Sequence, residues 1–152
     1  MNSYKDAAYR LTLAGGFLKE AEEDCQLKRW RSCVDNAQLA VENAGKAILM
    51  LFGVSPKTHE PAKHLSSIVK DESIPEEIRA MIRNVLPDFL TLGLEEHFMT
   101  DYGDEATYTS PWELFDKDSA NNSLDSARLC HSAAVKIVDV VNKWRTKDKK
   151  TI

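Results

Sequence analysis

The sequence predicts an all-α fold, a single antiparallel, up-and-down bundle of about five helices. Apolar residues recur at alternating steps of four and three in two long adjacent segments. No segment shows the strict alternation of a β-strand, and short breaks rich in Gly and Pro separate the helical patterns. A chain of 152 residues is long enough for one sizeable core. We assign residues 1–145 to the bundle and residues 146–152 to a basic tail that we expect to be disordered.

The segment from Trp30 to Gly53 is the predicted central helix. One apolar stripe along it contains Trp30, Val34, Ala37, Val41, Ala44, Ile48 and Leu51. A second stripe of mostly small residues overlaps the first, so the helix needs neighbours on more than one side. The residues in the middle of the helix, which include Gly45, are small and would allow another backbone to approach closely. Gly53 predicts a left-handed stop.

The first helix is predicted over Tyr4–Lys28, with the same four-three spacing. The break before Trp30 is so short that the two helices should form an antiparallel hairpin. Gly15 and Gly16 lie inside the first helix, where each glycine costs about 1 kcal/mol relative to alanine. This pair marks either a weak point or a place of close packing.

Two shorter helices follow a turn over residues 54–61. The first covers Ala62–Lys70, and the second opens with Ser73 and Glu76, which have the spacing of a capping box. Pro87 removes a backbone hydrogen bond inside the second helix. We therefore expect a kink or break near Leu86, with helix resuming through His97.

Residues 99–118 lack periodicity and combine acidic with aromatic side chains. Such a long loop is usually functional or is packed down by its own aromatics. Its carboxylates could form a metal site, an acid–base pair or an interaction surface, or could simply be solvated. The last helix is predicted from Ser119–Ser123 to Trp144, with Leu124, Ala127, His131, Ala134, Val138 and Val141 on its inner stripe. The basic tail could contact nucleic acid or serve as a solubilising end.

Composition narrows the function classes. A net charge of −4 argues against a protein that binds nucleic acid over its whole surface, although it is compatible with a local basic groove. No run approaches the ~18 apolar residues of a membrane span, and the N-terminus does not resemble a signal peptide. Three cysteines without metal-ligand spacing suit buried thiols in a reducing compartment. We expect a cytoplasmic protein without membrane contact.

Two apparent motifs fail on geometry. His59 and His64 are five residues apart with Pro61 between them, whereas a helical zinc motif needs histidines four apart. Gly45-Lys46 lies in mid-helix, where bonded N–H groups cannot cradle phosphate. We expect no metal and no cofactor, and we interpret Lys46 as a rim lysine whose stem covers apolar surface.

Arg128 and His131 form the more interesting pair. At positions i and i+3 they share a helix face and could meet one phosphate. The alternative, which we favour, is that His131 is a hydrogen-bonded core histidine and Arg128 pairs with a loop carboxylate. Cys130 is interpreted as core.

The central helix and the turn after it resemble the HEPN domain family. The name stands for "higher eukaryotes and prokaryotes nucleotide-binding". The family has an Ala/Gln-rich helix start, a Glu-x-Ala-x-Lys-Ala core, a Gly-hydrophobic-x-Pro turn and a Thr-His pair. The matching positions are Ala37, Gln38, Glu42, Ala44, Lys46, Ala47, Gly53, Pro56, Thr58 and His59. The order of helices extends the resemblance over nearly the whole chain.

The resemblance implies a bundle of about five helices that is usually a homodimer, often encoded beside a minimal nucleotidyltransferase. Many family members are ribonucleases of toxin–antitoxin or defence systems, marked by Arg, four to six residues, then His. This chain departs from that mark, because Arg128 and His131 are too close and Arg79 and Arg83 lie far upstream of His97. Asn43 and Gly45 also replace the lysine and leucine that the family often has.

These observations predict a non-catalytic HEPN-like module, a homodimer that binds a nucleotide or a partner protein such as a nucleotidyltransferase. One alternative is a metal-independent ribonuclease in which His131 is the acid–base and Arg128 stabilises charge. Another is a scaffold or antitoxin-like subunit; nucleic acid binding is not favoured. The candidate ligand-binding residues are Lys46, Lys57, His59, Lys63, His64, Tyr102, Arg128 and His131, and Trp112 is a further candidate stacking surface.

Overall fold

The protein folds as an all-α bundle, as the sequence predicts. The computed structural model describes residues 3–53, 57, 59–92 and 99–150, with side chains as far as Lys147. Its helices are α1 (Ser3–Gln26), α2 (Trp30–Met50), α3 (Pro61–Val69), α4 (Glu76–Thr91), α5 (Pro111–Leu114) and α6 (Lys117–Lys150). Residues 99–102 are also helical. Among the described residues the only extended pairing is an isolated bridge between Asp104 and Thr109.

The central position predicted for α2 is confirmed. Its apolar stripe is buried from Val34 to Ile48, and α2 packs against α1, α3, α4 and α6. Side-chain contacts fix the directions of the long helices. Arg10 bonds to Asn43 while Asp24 bonds to Asn36, so α1 and α2 are antiparallel.

The last long helix, α6, runs parallel to α2. Near its start, the Cys33 thiol donates to the Ala120 carbonyl, and near its end Arg145 lies over the Phe52 ring. The helix begins at Lys117, earlier than predicted, because Asp116 accepts the backbone N–H of Ser119 and caps the first turn. It continues to Lys150, into the segment for which the sequence predicts a frayed tail.

Gly45 shows why the small middle of α2 matters. A Cβ built on Gly45 would lie 2.6 Å from Cβ of Pro61, the first residue of α3. Glycine therefore lets α3 start directly against α2. After Met50 the chain turns through Gly53, whose φ of 75° confirms the predicted left-handed stop. Residues 54–56 and 58, and with them Pro56 and Thr58 of the family motif, lie outside the described residues.

The capping box predicted at Ser73 and Glu76 is wrong. The Ser73 hydroxyl donates to Asp71 Oδ1 at 2.6 Å, so it is turned away from the helix. Helix α4 begins at Glu76 after Pro75 and has no side-chain cap. A capping box does form at α5, where Ser110 accepts from the Glu113 N–H and the Glu113 carboxylate accepts from the Ser110 N–H.

Of the kink or break predicted near Leu86, the break is wrong. Helix α4 continues through Pro87 as far as Thr91, and Pro87 lies on the exposed side of the helix. Solvent can satisfy the carbonyl that loses its partner there, which lowers the cost of an internal proline. The predicted continuation to His97 falls on residues 93–98, outside the described part.

The segment that lacks periodicity is folded, although three of its four aromatic rings are not packed down; the fourth, Phe115, packs against the core. Residues 99–102 are helical, Asp104 and Thr109 form a bridge, and α5 follows. Tyr102, Tyr108 and Trp112 are nevertheless all exposed. The alternative that its aromatics pack it down is therefore wrong for these three rings.

Candidate functional site

Four buried polar side chains stand out on the otherwise apolar helix α2. They are Gln38, Glu42, Asn43 and Lys46. Gln38, Glu42 and Lys46 are spaced four apart, so they share one face of the helix. Burying polar groups costs free energy unless they find partners, so the site is defined by what these side chains contact.

Glu42 is the centre of this group. Its Oε1 lies 2.7 Å from Nδ1 of His59 and 3.8 Å from Nζ of Lys46. The Glu42 and Lys46 side chains are only 8% and 9% exposed, whereas the His59 side chain is 64% exposed. A buried carboxylate therefore anchors a histidine whose ring reaches solvent. This contact joins residues seventeen apart in sequence, across the turn that follows α2.

Lys46 is more buried than the sequence predicts. Its placement as a rim lysine is wrong, because the residue is buried in the bundle. Burial lowers the pKa of its ammonium, the nearby Arg10 lowers it further, and Glu42 opposes both effects. The main role of Lys46 is therefore structural, as the ion-pair partner of Glu42.

Arg10 extends the cluster to α1. Its guanidinium donates to Oδ1 of Asn43 at 3.1 Å, and the Asn43 amide donates to the Leu39 carbonyl. Arg10 and Glu42 are not among the site residues predicted from the sequence. The four-residue spacing of Gln38, Glu42 and Lys46 on an apolar helix could have pointed to Glu42, but nothing in the sequence points to Arg10.

A groove of about 380 Å³ opens beside the cluster, between the start of α3 and the end of α4. His59, Glu60 and Lys63 contribute polar groups, and Phe89, Leu90 and Leu92 contribute an apolar wall. Two predicted ligand residues, His59 and Lys63, therefore line one concave surface. Lys57 is exposed just before it in the chain, and His64 is half-buried on α3.

Arg128 and His131 lie elsewhere. Arg128 Nε is 3.3 Å from Glu22 Oε1, and its Nη1 is 3.5 Å from Asp125 Oδ1. Both carboxylates belong to helices, so the predicted loop partner is wrong while the predicted ion pairing is present. His131 is half-buried beside α1, where its Nε2 would lie 3.4 Å from a Cβ built on Gly15. Gly15 therefore marks close packing.

The two groups of predicted site residues do not meet on one surface. Arg128 contacts α1 at Glu22, whereas the Glu42 cluster contacts α1 at Arg10. Those positions are about 18 Å apart along a helix that rises 1.5 Å per residue. Tyr102 lies in a third region, since the neighbouring Thr100 accepts from Arg31 near the start of α2.

Two of the three cysteine thiols are not poised for nucleophilic chemistry. Cys33 and Cys130 are buried, and burial raises the pKa of the Cys33 thiol to about 12 and that of Cys130 as well. Both thiols are therefore protonated and inert near neutral pH. Within the described ranges, no three His, Cys, Asp or Glu side chains cluster as metal ligands would. No helix among those ranges is long and apolar enough to cross a membrane.

Comparison with known proteins identifies the family. Residues 7–144 match the family model of the HEPN domain, so the chain belongs to the HEPN domain family. A curated relative, "Putative toxin MJ1304" from Methanocaldococcus jannaschii, is 25% identical over 133 residues, which cover 81% of this chain and 86% of that protein. The crystal structure of TT1696 from Thermus thermophilus has the same fold. It superposes with a TM-score of 0.64 at 21% identity, over 86% of this chain and 97% of that one.

Proposed function

We propose that this HEPN protein is a non-catalytic module that binds a nucleotide in the groove between α3 and α4. One observation supports this most strongly: the groove combines His59 and Lys63 with an apolar wall of Phe89, Leu90 and Leu92. A cation and an imidazole suit a phosphate, and an apolar wall suits a base. The Glu60 carboxylate on the same rim could accept hydrogen bonds from ribose hydroxyls.

The contact of Glu42 with His59 gives this site a preformed element. With Nδ1 bonded to a buried carboxylate, the imidazole is held in one orientation before any ligand arrives. Preorganisation of this kind reduces the entropy lost on binding. The structure of α2 would therefore support recognition in the groove without supplying a catalytic group.

Calorimetric titration with AMP, ADP and ATP tests the proposal. We expect binding that is weakened about tenfold by Lys63→Ala, the worth of one charge-assisted hydrogen bond. Lys70→Ala is the matched control, because Lys70 is an exposed lysine at the other end of α3, outside the groove. An absence of heat at millimolar nucleotide, or equal losses in the two variants, would contradict the proposal.

We also propose that the protein works as a homodimer and in complex with a partner protein such as a nucleotidyltransferase. Apolar side chains of α4 and α6 line a further groove, which contains Met81, Val85, Leu129, Ala133 and Ile137, and Leu129 in it remains exposed. Such surface is typical of proteins that associate. Light scattering coupled to gel filtration should give twice the chain mass, and a monomer at micromolar concentration would contradict the dimer. If the protein is instead a scaffold subunit, it should still associate but should not bind nucleotide.

Ribonuclease activity, which the HEPN resemblance implies for many toxins of the family, is a second candidate, since the Methanocaldococcus relative is named a putative toxin. The pair Arg128 and His131 is poorly suited to it, since Arg128 already has two carboxylate partners. His59, oriented by Glu42, is better placed to act as a general base. Cleavage of RNA by the purified protein that disappears in His59→Ala but persists in His131→Ala would establish this second function and overturn the non-catalytic one.

A further inference from the structure

A second pocket, distinct from the groove, lies at the turn between α1 and α2. It has a volume of about 420 Å³. Three cationic side chains, Lys28, Arg29 and Arg31, line it together with three aromatic ones, Trp30, Trp112 and Phe115. Arg31 and Lys46 are fifteen residues apart on α2, so this pocket is about 22 Å along the helix from the Glu42 cluster.

The cations of this pocket are not held in ion pairs. Among the described residues, no carboxylate lies within ion-pair distance of these three cations. Arg31 donates to neutral acceptors, the Thr100 carbonyl at 2.9 Å and the Ser32 hydroxyl at 3.3 Å. The net charge of the chain is −4, but three cations without ion-pair partners surround this cavity, so positive charge is concentrated here.

The neighbouring carboxylates are engaged with other groups. Asp24 accepts from the Asn36 amide at 2.8 Å. Glu113 accepts from the Ser110 N–H and belongs to the capping box of α5. Both carboxylates keep their negative charge, but these contacts hold them in place away from ion pairs with the three cations.

Trp112 on α5 is exposed to solvent, and local hydrogen bonds hold the backbone around it. Its side chain is among the most exposed aromatics, at 75%, although an isolated large ring usually finds cover. The capping box of α5 fixes the backbone on both sides of it, and the preceding Pro111 is buried. The Arg31 guanidinium lies 5.9 Å from the ring centroid. The backbone that carries the ring is therefore fixed, and the ring lies beside one of the pocket cations.

Lys28 occupies a conformation that favours glycine. Its φ is 59°, its N–H donates to the Cys25 carbonyl and the Arg29 N–H donates to the Asp24 carbonyl. This is the Schellman ending of a helix, whose left-handed position is usually glycine. A lysine near a helix C-terminus gains from the macrodipole, but it could do so from the last turn without left-handed strain. A strained residue that brings a cation to a cavity points to function.

We propose that this pocket binds a nucleotide unit of single-stranded nucleic acid. Lys28, Arg29 and Arg31 would contact phosphate, and Trp112 would offer its ring for base stacking. The first three residues of α2 also line the pocket, and their N–H groups have no acceptor inside the helix. This site is separate from the nucleotide groove proposed above, and neither proposal depends on the other.

Fluorescence anisotropy with a labelled octa-uridylate at low salt tests this inference. We expect Lys28→Gly and Trp112→Ala each to weaken binding by at least about fivefold, and Trp112→Phe to retain most of it. Lys28→Gly should also have a Tm equal to or above that of the wild type, because glycine relieves the left-handed strain. A loss of affinity in a variant that is not destabilised separates a binding role from a structural one.

Three controls complete the experiment. Lys19→Ala removes an exposed lysine in the middle of α1, away from the pocket, and should bind like the wild type. Lys70→Ala, which removes an exposed lysine at the end of α3, outside the groove and the pocket, should also retain oligonucleotide binding. Competition by free UMP would show that a single nucleotide suffices, and displacement only by a strand would show that several units are needed. Absence of oligonucleotide binding, or equal affinity in Lys28→Gly and wild type, would overturn the inference.

Discussion

At the scale of single residues, α2 combines small side chains with buried polar ones. The small residues can be predicted from the sequence, because Ala37, Ala40, Ala44 and Ala47 fall on the two predicted stripes. All four are buried in the structure. The sequence does not indicate that Lys46 is buried, because a lysine in an apolar helix usually extends to solvent. The partner that makes its burial tolerable, Glu42, is recognisable only once the contacts are known.

Replacing Gly45 tests the close approach of α3 at this scale. In Gly45→Ala the new methyl group would lie 2.6 Å and 2.7 Å from Cβ and Cγ of Pro61, a ring that cannot rotate away. We expect a loss of about 1–3 kcal/mol in the free energy of unfolding, since overpacking forces α3 to shift. Urea denaturation monitored by circular dichroism measures it.

Gly16→Ala is the matched control for that substitution. Gly16 is also helical, and a Cβ there would meet nothing within 4 Å. Its replacement should therefore stabilise the protein by up to about 1 kcal/mol through helix propensity alone. A Gly45→Ala variant stabilised to the same extent would show that α3 does not need the glycine.

At the scale of elements, periodicity predicts the long helices, but local hydrogen bonding decides how the short ones begin. Ser73 and Ser110 are both followed three residues later by glutamate, and both segments contain a proline. Only Ser110 forms the capping box, because the backbone N–H and the hydroxyl of Ser73 both donate to Asp71. Two carboxylates compete for one serine, and sequence spacing cannot tell which of them wins.

Glu113 makes the capping box of α5 dependent on pH. Hydrogen bonds from the Ser110 backbone and side chain hold the pKa of Glu113 below its ordinary value of 4.5. Its contribution to stability is therefore complete above pH 4.5 and is lost as the pH falls through the lowered pKa. Glutamine keeps the hydrogen bond without the titration. We expect the Tm difference between wild type and Glu113→Gln to be constant above pH 4.5 and to change below it.

Thermal unfolding followed by circular dichroism from pH 3 to pH 7 provides that measurement. Lys117→Gln is a suitable second variant, since it changes one exposed charge next to the same segment without touching the cap. A Tm difference for Glu113→Gln that is as large at pH 7 as at pH 3 would contradict the assigned role of the carboxylate.

At the scale of the whole molecule, the bundle could be predicted and the sites only in part. Helical periodicity and short connections are local properties of the sequence, so the all-α fold and the central position of α2 follow from them. The contacts of Arg10 with Asn43, Glu42 with His59 and Arg128 with Glu22 depend on the register between helices. That register is set by packing across the molecule, and a single sequence does not show it.

The same register explains why the predicted ligand residues separate. His59 and Lys63 line the groove between α3 and α4, while Arg128 is held between α1 and α6. The pocket at the turn between α1 and α2 combines residues about eighty positions apart, which no short motif would reveal. Its cations are visible in the sequence as the basic run from Lys28 to Arg31, but the position of Trp112 beside them is not.

The central claim is that nucleotide binds in the groove between α3 and α4. Titration of ¹⁵N-labelled protein with AMP, followed by two-dimensional NMR, tests it most directly. The account predicts concentration-dependent shifts for the amides of His59, Lys63 and Leu90, weakened in Lys63→Ala. Shifts confined to residues 28–32 and 112–115, or no shifts at millimolar AMP, would contradict it.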